Sequence, residues 1–182
     1  MSSTRPDRYS PTAVALHWLL AVLIVVSFGM GLYMVDLPFS PARLKLFNWH
    51  KWAGFVVLAL SALRLLYRLV HRPPHELPAP AWQQRAAQAT HGGLYLLFFA
   101  VPLVGWAYTS ATGFPLVPFG LWQLPDFVPV DKELAEALKA WHKYLSYAMG
   151  VLVLMHTAAA LKHHFVDRDG TLGRMWLRGR TA

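Results

Sequence analysis

Four long apolar runs, separated by connectors rich in proline and charge, organise this chain. They cover about residues 13–35, 48–69, 88–108 and 137–164. Each reaches the roughly 20 apolar residues that a helix needs to cross the hydrocarbon of a bilayer. A helix also satisfies every backbone N–H and C=O internally, which lipid demands. The pattern predicts an all-α integral membrane four-helix bundle, a single domain over 1–182 with no internal repeat. The first run is too long for the core of a secretory signal and lacks a clear cleavage site, so it is expected to persist as a helix.

The connectors carry their own expectations. Asp36, Pro38 and Pro41 end the first run, and the stretch HRPPHELPAPAW after the second is a turn-and-loop signature. Trp82 to Ala89 is weakly amphipathic and is expected to lie along the membrane interface before the chain turns inward. The longest connector, residues 110–136, holds four prolines and several aromatics, which suits packing on the outer interface. Asp131 is expected to cap a short helix leading into the fourth run.

Composition narrows the class. Of 182 residues, 55% are hydrophobic and 14% charged, and the mean hydropathy is positive, more apolar surface than a soluble domain of this size needs. With no cysteine, disulfides, iron–sulfur clusters, thiolate zinc and covalently attached haem are excluded. Any redox centre must use other ligands, and nine histidines are present. The net charge of +8 does not gather into a nucleic-acid stripe; the basic residues sit between the apolar runs. Arg5, Arg8, Arg64, Arg68, Arg72, Arg85, Lys162, Arg168, Arg174, Arg178 and Arg180 fall on one side, against Arg43, Lys45, Lys51, Lys132, Lys139 and Lys143 on the other. Positive-inside bias therefore places both termini in the cytoplasm.

The histidines then sort by depth. In the fourth run His142 and His156 stand fourteen residues apart, nearly on one helical face and about 21 Å apart along the axis. His50 begins the second run and shares the outer level with His142; His17 begins the first and shares the inner level with His156. Imidazoles in hydrocarbon need partners, and pairs from facing helices suit axial ligation of a b-type haem, which needs no covalent attachment. Zinc would favour three or four ligands gathered at one level. Gly29, Gly31, Gly54, Gly92, Gly93, Gly105 and Gly150 are expected to give a porphyrin room.

Other polar residues group around these pairs. Lys51 and Lys143 each follow an outer histidine and either raise the local potential for a small anion or snorkel to the interface. Arg64 lies fourteen residues after His50, at the level of an inner haem's propionates. His91 also sits at the inner level, as a substitute ligand, part of a neighbouring pocket or a local hydrogen-bonding group. His163 and His164 reach the inner surface, where they either line a quinone site or are solvated. His71 and His75 are expected in a loop.

The segments RYSPTAVALHW, NWHKWAGFVVLALSALRLLYRL, HGGLYLLFFAVPLVGW and WHKYLSYAMGVLVLMHTAAALKHHF resemble the bacterial cytochrome b561 family, also described as superoxide oxidase, over almost the whole chain. The resemblance implies a four-helix inner-membrane protein with two b haems, His50 with His142 holding the periplasmic one and His17 with His156 the cytoplasmic one. It also implies oxidation of superoxide to dioxygen at the periplasmic face, with electrons passing to ubiquinone. Lys51 and Lys143 would then draw in the anion, with His163 and secondarily His91 as candidates to bind quinone. Similar folds serve as cytochrome b anchors that relay electrons for a separate dehydrogenase or hydrogenase subunit, the main alternative. A bundle without cofactor, its histidines serving protons or zinc, is a third class.

Overall fold

The computed structural model describes residues 8–71, 73–75 and 77–176. Arg5, Arg72, Arg178 and Arg180, which contribute to the charge bias, lie outside the described residues. Four long helices dominate: α1 (Pro11–Val35), α2 (Pro41–Val70), α3 (Ala81–Ala111) and α4 (Lys132–Lys162). There is no strand among the described residues. All four are long and apolar enough to cross a membrane, and many of their large apolar side chains, Val25, Leu66, Leu96 and Leu154 among them, point outward. That is the surface of a protein solvated by lipid.

Local sequence explains where the helices begin. Ser10 accepts a hydrogen bond from the Ala13 N–H at 3.2 Å, and Ser40 from the Arg43 N–H at 3.2 Å, each with proline at the first helical position. Asp131 accepts from the Leu134 N–H at 2.7 Å. It caps α4 directly, so the short separate helix expected after Asp131 does not exist. Nor does the expected turn after residues 82–89: no glycine or proline interrupts the good helix formers between Ala81 and His91, and α3 runs through them unbroken. Pro102 is accommodated within α3.

Antiparallel neighbours pack closely, α1 along α2 and α4 along α3, and α2 joins the two hairpins through α3. The backbone of α4 makes no comparably close approach to α1 or α2, so side chains must bridge those gaps. A buried apolar cluster of Leu20, Ile24, Val57, Leu94, Leu97, Phe98, Val101 and Met149 fills the middle of the bundle. Met149 lies midway between His142 and His156, so this cluster separates the two histidine levels.

The ends of the bundle are tied by side chains reaching backbone. On one side Lys51 Nζ donates to the Pro115 carbonyl at 3.3 Å and the Trp52 indole to the Val117 carbonyl at 2.8 Å, which holds the long connector over α2. On the other, the Trp18 indole donates to the Met175 carbonyl at 2.8 Å and Arg174 to the His75 carbonyl at 2.8 Å. His75 is in a loop, as expected. His71 ends α2 and stacks on Tyr67, ring centroids 4.0 Å apart.

Candidate functional site

At the end of the bundle near the long connector, His50 of α2 faces His142 of α4, ring centroids 6.0 Å apart and ring planes at 89°. His50 Nδ1 lies 3.1 Å from the Ser27 carbonyl of α1, and His142 Nδ1 lies 3.0 Å from the Val101 carbonyl of α3. A carbonyl can only accept, so in the neutral ring each Nδ1 carries the hydrogen and each Nε2 keeps a free lone pair. Two imidazoles on opposite sides of one metal ion, with bonds of about 2 Å, place their ring centres about 6 Å apart. The spacing and the tautomers both fit bis-histidine ligation. The cysteine-free donor set fits haem b.

Between and beside these rings runs a cleft lined by Met34, Phe55, Leu58 and Trp106 among others, with Gly54 on its wall. A Cβ on Gly54 would meet nothing within 4 Å, so the wall of the cleft is open at this position. Gly31 and Gly105 act differently. A Cβ on Gly31 would lie 3.2 Å from His50 Cε1, and one on Gly105 would lie 2.9 Å from His142 Cε1. These glycines seat the histidines against the neighbouring helix. Gly93 backs in the same way onto Leu152 and Gly150 onto Phe28, whereas a Cβ on Gly29 or Gly92 would meet nothing within 4 Å.

At the opposite level His17 of α1 faces His156 of α4 with centroids 6.1 Å apart and planes at 70°. The spacing again matches two rings flanking one ion. His17 Nδ1 is buried without a hydrogen-bond partner among the described residues, so His17 lacks the carbonyl contact that His50 and His142 have there. His91 of α3 approaches the same His156 ring, centroid to centroid 5.4 Å. Three histidines thus meet here, and the sequence-based pairing by depth does not by itself choose among them. Arg64 stands close enough to act electrostatically on His17 and His156. Its guanidinium and that of Arg68 flank the Tyr95 ring at 5.7 and 5.5 Å.

The remaining candidates separate. Lys51 lines the cleft beside His50, whereas Lys143 turns over the Tyr147 ring at 6.0 Å. His163 lies in a single π-helical turn, His163–Asp167, that ends α4. Its Nδ1 is 2.6 Å from Asp169 Oδ2, while Lys162 pairs with Asp167 at 2.6 Å. Burial pushes the Asp169 carboxyl up, but hydrogen bonds from Thr171 and His163 outweigh it and hold the group below the usual carboxylate range. His164 packs edge-on against Phe165. The Ser27 and Val101 carbonyls and Trp106 have no signature in sequence; only packing shows them.

The family model of prokaryotic cytochrome b561 matches residues 8–178. The chain is 37% identical over 172 residues to cytochrome b561 homolog 2 of Escherichia coli (strain K12), covering 93% of this chain and 92% of that protein. It is 31% identical over 179 residues to the probable superoxide oxidase CybB of Yersinia pestis, covering 95% and 98%. Cytochrome b561 homolog 1 of Escherichia coli (strain K12) is 31% identical over 174 residues, covering 94% and 98%. With four bilayer-length helices and histidines facing across them, the chain belongs to the prokaryotic cytochrome b561 family, multi-pass bacterial membrane proteins that transfer electrons with haem b.

Proposed function

We propose that this protein is a di-haem oxidoreductase of the bacterial inner membrane, a single domain over 1–182 with both termini cytoplasmic, that oxidises superoxide at the periplasmic face and reduces ubiquinone. The observation that carries this reading is the pair of histidine contacts, 6.0 and 6.1 Å between centroids, at two heights with an apolar core between them. His50 with His142, and His17 with His156, are the proposed ligands. Haem b, when bound, supplies one-electron exchange at iron. In the overall reaction two superoxide ions become two dioxygen molecules, and the quinone takes up two electrons and two protons to become quinol.

The chain's own groups have distinct parts in this reading. Lys51, on the wall of the outer cleft, raises the potential for an anion there; Lys143 adds charge from farther off. Arg64 would meet carboxylates at the inner level, a role supported by its electrostatic reach to His17 and His156. His163, its Nδ1 directed at Asp169, would in its imidazolium form pass a proton from Nε2 to a reduced quinone oxygen, with His91 as the second candidate contact. The similarity to a protein named probable superoxide oxidase supports the choice of donor.

A second reading, an anchor subunit passing electrons from a separate dehydrogenase or hydrogenase, draws on the exposed Phe114, Leu121 and Trp122 of the outer connector. Purified protein distinguishes the two. Visible spectroscopy with haem quantitation should give two haems per chain, and superoxide should reduce them without another subunit. A coloured protein inert to superoxide would pass to the anchor reading, and a colourless one would end both.

A further inference from the structure

Trp106 lines the outer cleft next to Gly105, and its indole nitrogen is shut off from solvent with no hydrogen-bond partner among the described residues. A buried N–H without an acceptor costs free energy, and a phenylalanine would fill much of the same space without that cost. Arg43 Nε and Ser110 Oγ at this end are also buried without a partner among the described residues, but neither residue lines the cleft. The Trp52 indole and the Lys51 ammonium both reach carbonyls of the long connector. Trp106 does not, although its ring is held edge-on to Phe127 with centroids 5.0 Å apart and planes at 89°. No group of the described residues accepts this N–H, and the cleft that Trp106 lines is where an acceptor can enter. The residues lining it include Lys51 but no aspartate or glutamate, so an anionic oxygen is the favoured partner.

We infer that the Trp106 indole N–H is a hydrogen-bond donor to an anionic oxygen of the molecule filling the outer cleft, either a haem carboxylate or a small oxyanion held beside the haem. The inference rests on the reading of His50 and His142 as haem ligands. The two fail separately, since haem content of the wild-type protein tests that reading and a change at Trp106 tests this one.

The experiment is Trp106→Phe in the purified holoprotein, with the inner haem's absorption as the check on folding. If a haem carboxylate is the acceptor, the outer haem's midpoint potential falls, because unmasked negative charge beside iron favours the ferric state. Its release to an acceptor apoprotein also quickens about tenfold, as expected for one charged hydrogen bond. The inner haem keeps both values. If a free oxyanion is the acceptor, potential and release stay as in wild type and the rate of reduction by superoxide falls about tenfold. No change in potential, release or superoxide rate overturns the inference, and so does an equal change at both haems. Should Trp106→Phe fail to accumulate, benzothienylalanine at position 106 keeps the bicyclic shape, lacks the N–H, and is read by the same measurements.

Discussion

Gly105 of α3 backs onto the His142 ring of α4 so closely that a Cβ there would lie 2.9 Å from His142 Cε1. The ring is thus seated on α3, its Nδ1 3.0 Å from the Val101 carbonyl and its Cε1 against bare backbone one turn farther on. Gly105→Ala should push the imidazole off its line, at about 1–3 kcal/mol for overpacking, and weaken or broaden the outer haem's spectrum. Gly29→Ala, where nothing lies within 4 Å, should leave both haems intact. Equal spectra for the two variants would mean that the seat at Gly105 does not matter.

Replacement of the histidines should resolve the two levels. His142→Ala should remove mainly the outer haem and His156→Ala mainly the inner one, followed by haem quantitation and low-temperature absorption. At the inner level His17→Ala should lose low-spin ligation while His91→Ala keeps it, although His91 lies nearer the His156 ring, at 5.4 against 6.1 Å. The 6.1 Å spacing is the one that leaves room for an ion between two rings. Low-spin signals surviving His17→Ala but not His91→Ala would reverse the assignment.

The two lysines should not be equivalent. Lys51 lines the cleft and Lys143 turns over Tyr147, so Lys51→Glu should slow reaction with superoxide by about tenfold at low salt and Lys143→Glu by less. Raising ionic strength should shrink the difference from wild type, since the Debye length falls to about 8 Å at physiological salt. Stopped-flow rates that are insensitive to both charge and salt would leave these lysines as interfacial anchors.

Asp169 sets a pH dependence for the turn beyond α4. Its carboxyl is held below the ordinary value of 3.8 through hydrogen bonds from Thr171 and His163 that outweigh burial. A depressed carboxyl stabilises the fold above its unfolded value and loses that contribution as pH falls through its folded one. The turn around 163–171 should therefore stay closed across neutral and mildly acidic pH and open only below about 3.8. Asp169→Asn should open it at every pH. Hydrogen exchange over this segment, corrected for intrinsic rates, measures both; opening already near pH 6 would contradict the mechanism.

Much of this architecture was legible because it depends on quantities that run along one chain. Apolar length sets four helices, serine or aspartate ahead of them sets where three begin, and position within a helix sets the height of each histidine. The turn expected between residues 82–89 and the third span is absent because weak amphipathicity says nothing about whether a helix is interrupted, and residues 82–89 contain no breaker.

What the sequence by itself determined, then, is the class of molecule, the two levels and the residue types available at each. Tertiary structure decided which rings meet. It rotated α3 so that His91 joins His156, brought the Ser27 and Val101 carbonyls to His50 and His142, set Lys143 over Tyr147 and left the Trp106 N–H without an acceptor among the described residues. The reason is physical: helical periodicity fixes directions within a helix, whereas the rotation of one helix against another is fixed only by how their side chains pack.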